Sequence, residues 1–191
     1  MAASGNAARR PKERLSKEAW LTKALESLSS AGHAPLRVGA IAEQLGVTKG
    51  SFYHHFENRA DFVRSIVDYW DQKYTREIAS NLVANHEAPE EWLWALIEGV
   101  AESRLTRFDV AIRAWASHDQ EVRKRVARAD KFRMTYVRSI FSAMGFKDSD
   151  LEARTRAFVT TVSAQETIYD RLPVAGRQDY LKALHRLFIQ R

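Results

Sequence analysis

After Leu15 the apolar residues recur almost everywhere at helical spacing. Trp20, Leu21, Ala24, Leu25 and Leu28 mark one buried face, with Ser16 at the cap position, Leu15 and Trp20 at the two positions of a hydrophobic staple, and Gly32 at the end. A second helix over 37–45 buries Val38, Ile41, Ala42 and Leu45 and stops at Gly46, whose missing side chain suits a left-handed C-cap. Thr48 caps a third, very short helix carrying Phe52 and Phe56. Asn58, with Asp61 three residues later, caps a fourth that runs through Phe62, Val63, Ile66, Val67, Trp70 and Tyr74 to about Leu82. Breaks at Pro89, Arg107, Asp119, Gly145 and Pro173 to Gly176 separate further helices, predicted over 89–104, 107–117, 119–144, 149–172 and 177–190. No stretch alternates apolar with polar between turn residues, so no sheet is predicted. The expected fold is all-α: a disordered basic arm (1–14), a three-helix helix-turn-helix domain (15–60), and a larger helical body (61–191), with the break inside the fourth helix.

Length and charge sharpen this picture. The 191 residues are enough to bury a real core in one domain or two. With no cysteine, disulfides and thiol chemistry are excluded. No run of about 18 apolar residues exists, and no apolar segment follows the charged amino end, so neither a membrane span nor a secretory signal is expected and a cytoplasmic setting is. The net charge is 30 minus 24, or +6. Residues 1–60 hold nine basic against five acidic side chains (+4), and residues 61–191 hold 21 against 19 (+2). A basic first segment on a nearly balanced body suits a polyanion-binding module.

Residues 37–56, RVGAIAEQLGVTKGSFYHHF, read as helix, tight turn and second helix. That is the spacing of a helix-turn-helix, whose second helix enters the major groove of DNA. Val38, Ile41, Ala42, Leu45, Val47, Phe52 and Phe56 hold the pair together, which leaves Lys49, Gly50, Ser51, Tyr53, His54 and His55 facing outward. Residues 15–70, above all GVTKGSFYHHFENRADF, resemble the amino-terminal domain of the tetracycline-repressor (TetR) family of bacterial transcriptional regulators. The resemblance implies that Thr48, Lys49, Ser51, Tyr53 and His54 contact an operator, with Arg59 on the DNA backbone. Gly50 would let DNA approach the main chain. Arg37 stands where the family often has a capping threonine, losing the cap and gaining a cation, and Gly39 replaces a usual polar residue at a cost of up to about 1 kcal/mol to its helix.

The same resemblance implies a homodimer on double-stranded DNA, released by a small-molecule effector. Segments 151–172 and 177–190 carry more apolar surface than one flank of a small body needs, and Phe158, Val162, Tyr169, Leu181, Leu184 and Phe188 are the expected dimerisation residues. The effector cavity is expected among helices four to eight, where four of the five tryptophans lie. Trp70, Tyr74, Trp92, Phe108, Trp115, His118, Tyr136 and Gln165 are its candidate lining, suited to an apolar or aromatic molecule. Trp92 and Trp94 cannot share one helical face, so one of them is expected at an interface or in solvent. For an enzyme the chain offers little. H-E-x-x-H, G-x-S-x-G and Gly-rich phosphate loops are missing, Glu98 and Glu102 lack a histidine at metal-binding spacing, and neither cofactor nor metal is expected.

Overall fold

The computed structural model describes residues 15–31, 36–85, 87–103, 106–164, 167 and 175–190, and all regular structure among them is helical. The amino-terminal arm lies outside the described residues. Helix α1 (Lys17–Ala31) opens where the hydroxyl of Ser16 accepts the Ala19 N–H at 3.2 Å. Helix α2 (Val38–Gln44) ends in a Schellman turn: Gly46, at φ 65°, donates its N–H to Glu43 O and Val47 donates to Ala42 O. Helix α3 (Lys49–Phe52) follows four residues after the end of α2. Its expected cap is corrected, because the Thr48 hydroxyl makes no capping bond and only the Thr48 carbonyl accepts, from Ser51 N–H at 3.0 Å. The capping box at 58–61 is present. Asn58 Oδ1 accepts from Asp61 N–H at 2.9 Å, and the Asp61 carboxylate reaches back to Glu57 N–H at 3.2 Å.

The fourth helix is continuous but not uniform. Helix α4 (Arg59–Asp71) passes through a π turn (Gln72–Arg76) into α5 (Glu77–Asn85). The buried positions Ile66 and Trp70 are followed by Thr75, Ala79 and Leu82, so the stripe takes one five-residue step. This corrects the expected register, in which Tyr74 continues the buried face; Thr75 is buried and Tyr74 half-buried. The body continues through α6 (Pro89–Ser103), α7 (Thr106–Ala116), α8 (Gln120–Ala143), α9 (Asp148–Ala164) and α10 (Arg177–Ile189). A second Schellman turn closes α8 at Gly145, φ 90°, with Phe146 N–H on Phe141 O and the two rings 5.9 Å apart.

Two apolar cores result. The first gathers Trp20, Phe52, Phe56 and Phe62 edge to face, then runs through Ile66, Val67 and Trp70 into Phe108 and Ile112 of α7 and Val122 and Val126 of α8. The helix-turn-helix segment is thereby fused to the body. The second core gathers Leu93, Ile97, Ile140, Phe141, Leu151, Phe158, Leu181 and Phe188 from α6, α8, α9 and α10. Burying such large side chains at about 25 cal/mol per Å² supplies most of the drive that holds each group together.

Candidate nucleic-acid interface and effector cavity

The α2–α3 segment leaves a row of polar side chains outside the first core. Arg37, Thr48, Lys49, Gly50, Tyr53, His54 and Arg59 are all exposed, Ser51 is half-buried, and Tyr53 keeps 70% of its surface. Phe52 and Phe56 point inward from the same short segment, so the helical turn itself sorts core from surface. None of Arg37, Lys49, Tyr53, His54 and Arg59 makes a side-chain hydrogen bond or ion pair with another described residue. Their donors are unspent. Gly39 has a use that helix propensity alone does not show: a methyl group there would stand 2.8 Å from Lys49 Cε, so the glycine lets the lysine stem lie across α2. At Gly50 a methyl group would meet only Thr48 Oγ1, at 3.5 Å, so the subunit itself does not require glycine at that exposed position.

Between α4–α5 and α6–α9 lies an apolar cavity of about 80 Å³. Of the expected lining, Tyr74 and Tyr136 are in its wall. Trp70 and Phe108 sit one layer behind, both buried, the second with its ring tilted against Tyr74 at 5.1 Å. Trp115 is half-buried against the first core, Trp92 against the second, and His118 is exposed in the turn after α7, so none of these three lines the cavity. Trp92 and Trp94 both pack against the second core while remaining half-buried. Gln165 and Tyr169 lie outside the described residues.

What the sequence reading missed is the polar end of the wall. Asp109, 5% exposed, accepts the Trp70 indole N–H at 2.9 Å and both guanidinium Nη groups of Arg133. Arg133 in turn donates from Nε and Nη2 to Thr75 Oγ1 at 3.0 and 2.7 Å, and its guanidinium lies over the Trp70 ring at 4.9 Å. One network thus joins α4, the π turn, α7 and α8. A signal for it was present, because Asp109 shares its buried stripe with Ile112 and Ala116, and Arg133 shares one with Val126, Ala129, Val137 and Ile140. A charge at a core register needs a partner. A second route leaves the cavity through Tyr74, whose ring meets Tyr69 at 6.2 Å; Tyr69 OH bonds Thr22 of α1 at 3.0 Å and Glu18 at 3.1 Å. Burial pushes the phenols of Tyr69, Tyr74 and Tyr136 above their usual range, keeping them protonated. Tyr136 donates to Ala79 O at 3.1 Å.

The expected dimerisation residues divide. Phe158, Leu181 and Phe188 are buried in the subunit's own second core, so these three are corrected: a second copy cannot cover what the chain already covers. Val162 is half-buried and lines the cavity. Leu184 is half-buried. Tyr180, Leu184 and Leu187 stand one turn apart on α10, and Leu187 keeps 67% of its surface.

Comparison with known proteins agrees with this geometry. Residues 21–66 match the model of bacterial regulatory proteins of the tetR family. The transcriptional regulator AcuR of Cereibacter sphaeroides is 30% identical over 79 residues, which cover 41% of this chain and 36% of that protein, so the chain matches about a third of its relative's length. Among solved structures, a TetR transcription regulator from Haloarcula marismortui superposes with TM-score 0.70 at 16% identity over 91% of this chain and 95% of that one. AibR, solved with isovaleryl coenzyme A and operator DNA, does so with TM-score 0.70 at 18% identity over 93% and 99%. At such identities the likeness establishes the fold: an amino-terminal helix-turn-helix carrying a larger helical body. The family is one of regulators, not of enzymes. No helix among the described residues is long and apolar enough to cross a membrane.

Proposed function

We propose that this chain, whose helix-turn-helix is of the tetR type, is a dimeric sequence-specific DNA-binding regulator that leaves its operator when a small molecule fills the cavity. The observation that carries the reading is the row of exposed cationic and hydroxyl side chains on α2, α3 and the start of α4, unspent on other described residues and held by the aromatic core beneath. Lys49, Ser51, Tyr53 and His54 meet one major-groove half-site, and Arg37 and Arg59 meet the flanking phosphates. Such contacts release counterions, so affinity falls steeply with salt. Against a duplex selected from a random pool and a scrambled one, Arg59→Ala should weaken both about equally, and Lys49→Ala should change the preference between them. Unchanged affinity in both variants defeats the assignment.

Two half-sites need two subunits. The stripe of exposed Tyr180 and Leu187 with half-buried Leu184 on α10 is the face a second copy would cover. Leu187→Glu should yield a folded monomer by analytical ultracentrifugation, whereas a wild-type monomer at micromolar concentration removes the premise. Repression is the favoured sense, because occupying an operator needs no further domain. For the switch, the cavity wall touches the helix that carries the DNA-binding segment in two ways, through Arg133, Asp109 and Trp70 and through Tyr74 and Tyr69. An occupant that tilts α4 shifts the two recognition helices away from the roughly 34–36 Å that successive major grooves demand. A 100-fold loss of operator affinity needs about 2.7 kcal/mol of coupling, and operator DNA must then weaken the occupant by the same factor. Calorimetry with and without operator tests this; equal affinities reject it.

A further inference from the structure

The donors and acceptors of the cavity wall define what it can hold. Asp109 is the acid in the described wall, and its oxygens already take the Trp70 indole and two guanidinium nitrogens. Of the five Arg133 donors, those on Nε and Nη2 and one on Nη1 meet Thr75 and Asp109, and the remaining one reaches only Ser163 Oγ, at 3.5 Å. The described part of the wall is therefore electrically balanced, with one guanidinium hydrogen poorly used. A carboxylate placed there would stand beside Asp109 and an amine beside Arg133, each adding an uncompensated charge where water is scarce. A neutral oxygen adds none and completes Nη1. The rest of the wall is largely aliphatic, including Ile78, Leu96, Val100, Val159 and Val162. Its volume of about 80 Å³ is roughly half that of an apolar cavity known to take benzene, so as it stands it suits an occupant of about five non-hydrogen atoms.

We propose that the cavity binds an uncharged short-chain carbonyl compound, its oxygen accepting from Arg133 Nη1 and Ser163 Oγ and its carbon chain lying among Leu96, Val100, Val159 and Val162. The inference rests on the cavity being the effector site. An oxygen docked at Nη1 draws the guanidinium toward α9 and loosens its hold on Thr75, which stands in the π turn continuous with α4.

Four probes of equal heavy-atom count separate the chemistry: butanone, 2-methylbut-1-ene (the same shape with the oxygen replaced by a methylene), propionate and sec-butylamine. Titrated calorimetrically into the full chain without DNA, butanone should bind at least about 5-fold tighter than the alkene, the worth of one hydrogen bond, and tighter still than either ion. Ser163→Ala should weaken butanone by about the same factor and leave the alkene unchanged. Val162→Phe, which fills the cavity and spares the ion pair, should abolish binding of both. Equal binding of butanone and alkene, tighter binding of propionate or the amine, butanone still bound by Val162→Phe, or no probe bound by a folded chain would each overturn the proposal. Butanone bound by a chain that shows no preference among duplexes would uphold it and defeat the regulatory reading instead.

Discussion

Polar side chains serve opposite ends in two regions of this molecule. On the α2–α3 face Lys49, Tyr53, His54 and Arg59 stand in solvent with their hydrogen-bonding capacity unspent on other described residues, above a core of aromatic rings packed among aliphatic side chains. At the cavity Asp109, Arg133, Thr75 and the Trp70 indole are withdrawn from water and spent on one another. The exposed set costs the fold little and is available to a partner. The buried set is indispensable to the fold because each member would be stranded without the others. Changing a side chain of the first set can therefore remove function without touching stability, whereas changing one of the second set cannot.

The largest break in that contrast should come from Asp109→Ala. It strands the Arg133 guanidinium and should lower the unfolding free energy by about 3–5 kcal/mol in denaturant titrations, while adding Arg133→Met to the same chain should restore much of the loss. Trp70→Phe keeps most of the ring and removes only the donor to Asp109, for an expected loss of about 1–3 kcal/mol by the same measurement. Gly46→Ala forces a side chain into the left-handed turn between α2 and α3 and should cost about 1–2 kcal/mol. Asn58→Ala, which removes the cap of α4, should cost about 1 kcal/mol in thermal unfolding. At the small end Lys49→Ala should leave stability within about 0.5 kcal/mol of the parent. If Lys49 holds a phosphate, the same change should reduce the salt slope of duplex binding by about one. A Lys49→Ala chain that unfolds early, or an Asp109→Ala chain as stable as the parent, would erase the distinction between the two regions.

The exposed face was legible in the sequence and the buried network was not, for a physical reason. Caps, a left-handed glycine and apolar spacing are local, and Ser16, Gly46, Asn58 and Phe52 each act within a few residues of their own position. All five helices expected after the fourth begin and end within two residues of their expected limits or run into undescribed residues, again because Pro89, Asp119 and Gly145 act locally. Asp109, Arg133 and Thr75 meet across three helices, 24 and 58 residues apart in the chain, and no local rule joins them. The aromatic count misled for the same reason: Trp92, Trp115 and Phe108 are concentrated along the sequence but packed into two separate cores. Apolar surplus at the carboxy end was real at Leu187, whereas Phe158 and Phe188 were absorbed by one another, ring to ring at 5.1 Å.

The π turn at Gln72–Arg76 makes the chain unusually forgiving at one place. It holds one residue more than an α-helical turn would, between Trp70 and Thr75. Deleting a single residue there could be absorbed by tightening the turn to α-helical geometry, leaving Ala79 and Leu82 facing the same neighbours, whereas a deletion in the middle of α8 would swing every later side chain of that helix about 100° away from its core. A scan of single deletions along the chain should therefore find a tolerant window at 72–76 flanked by intolerant helix on both sides, a signature of spare length rather than of surface exposure.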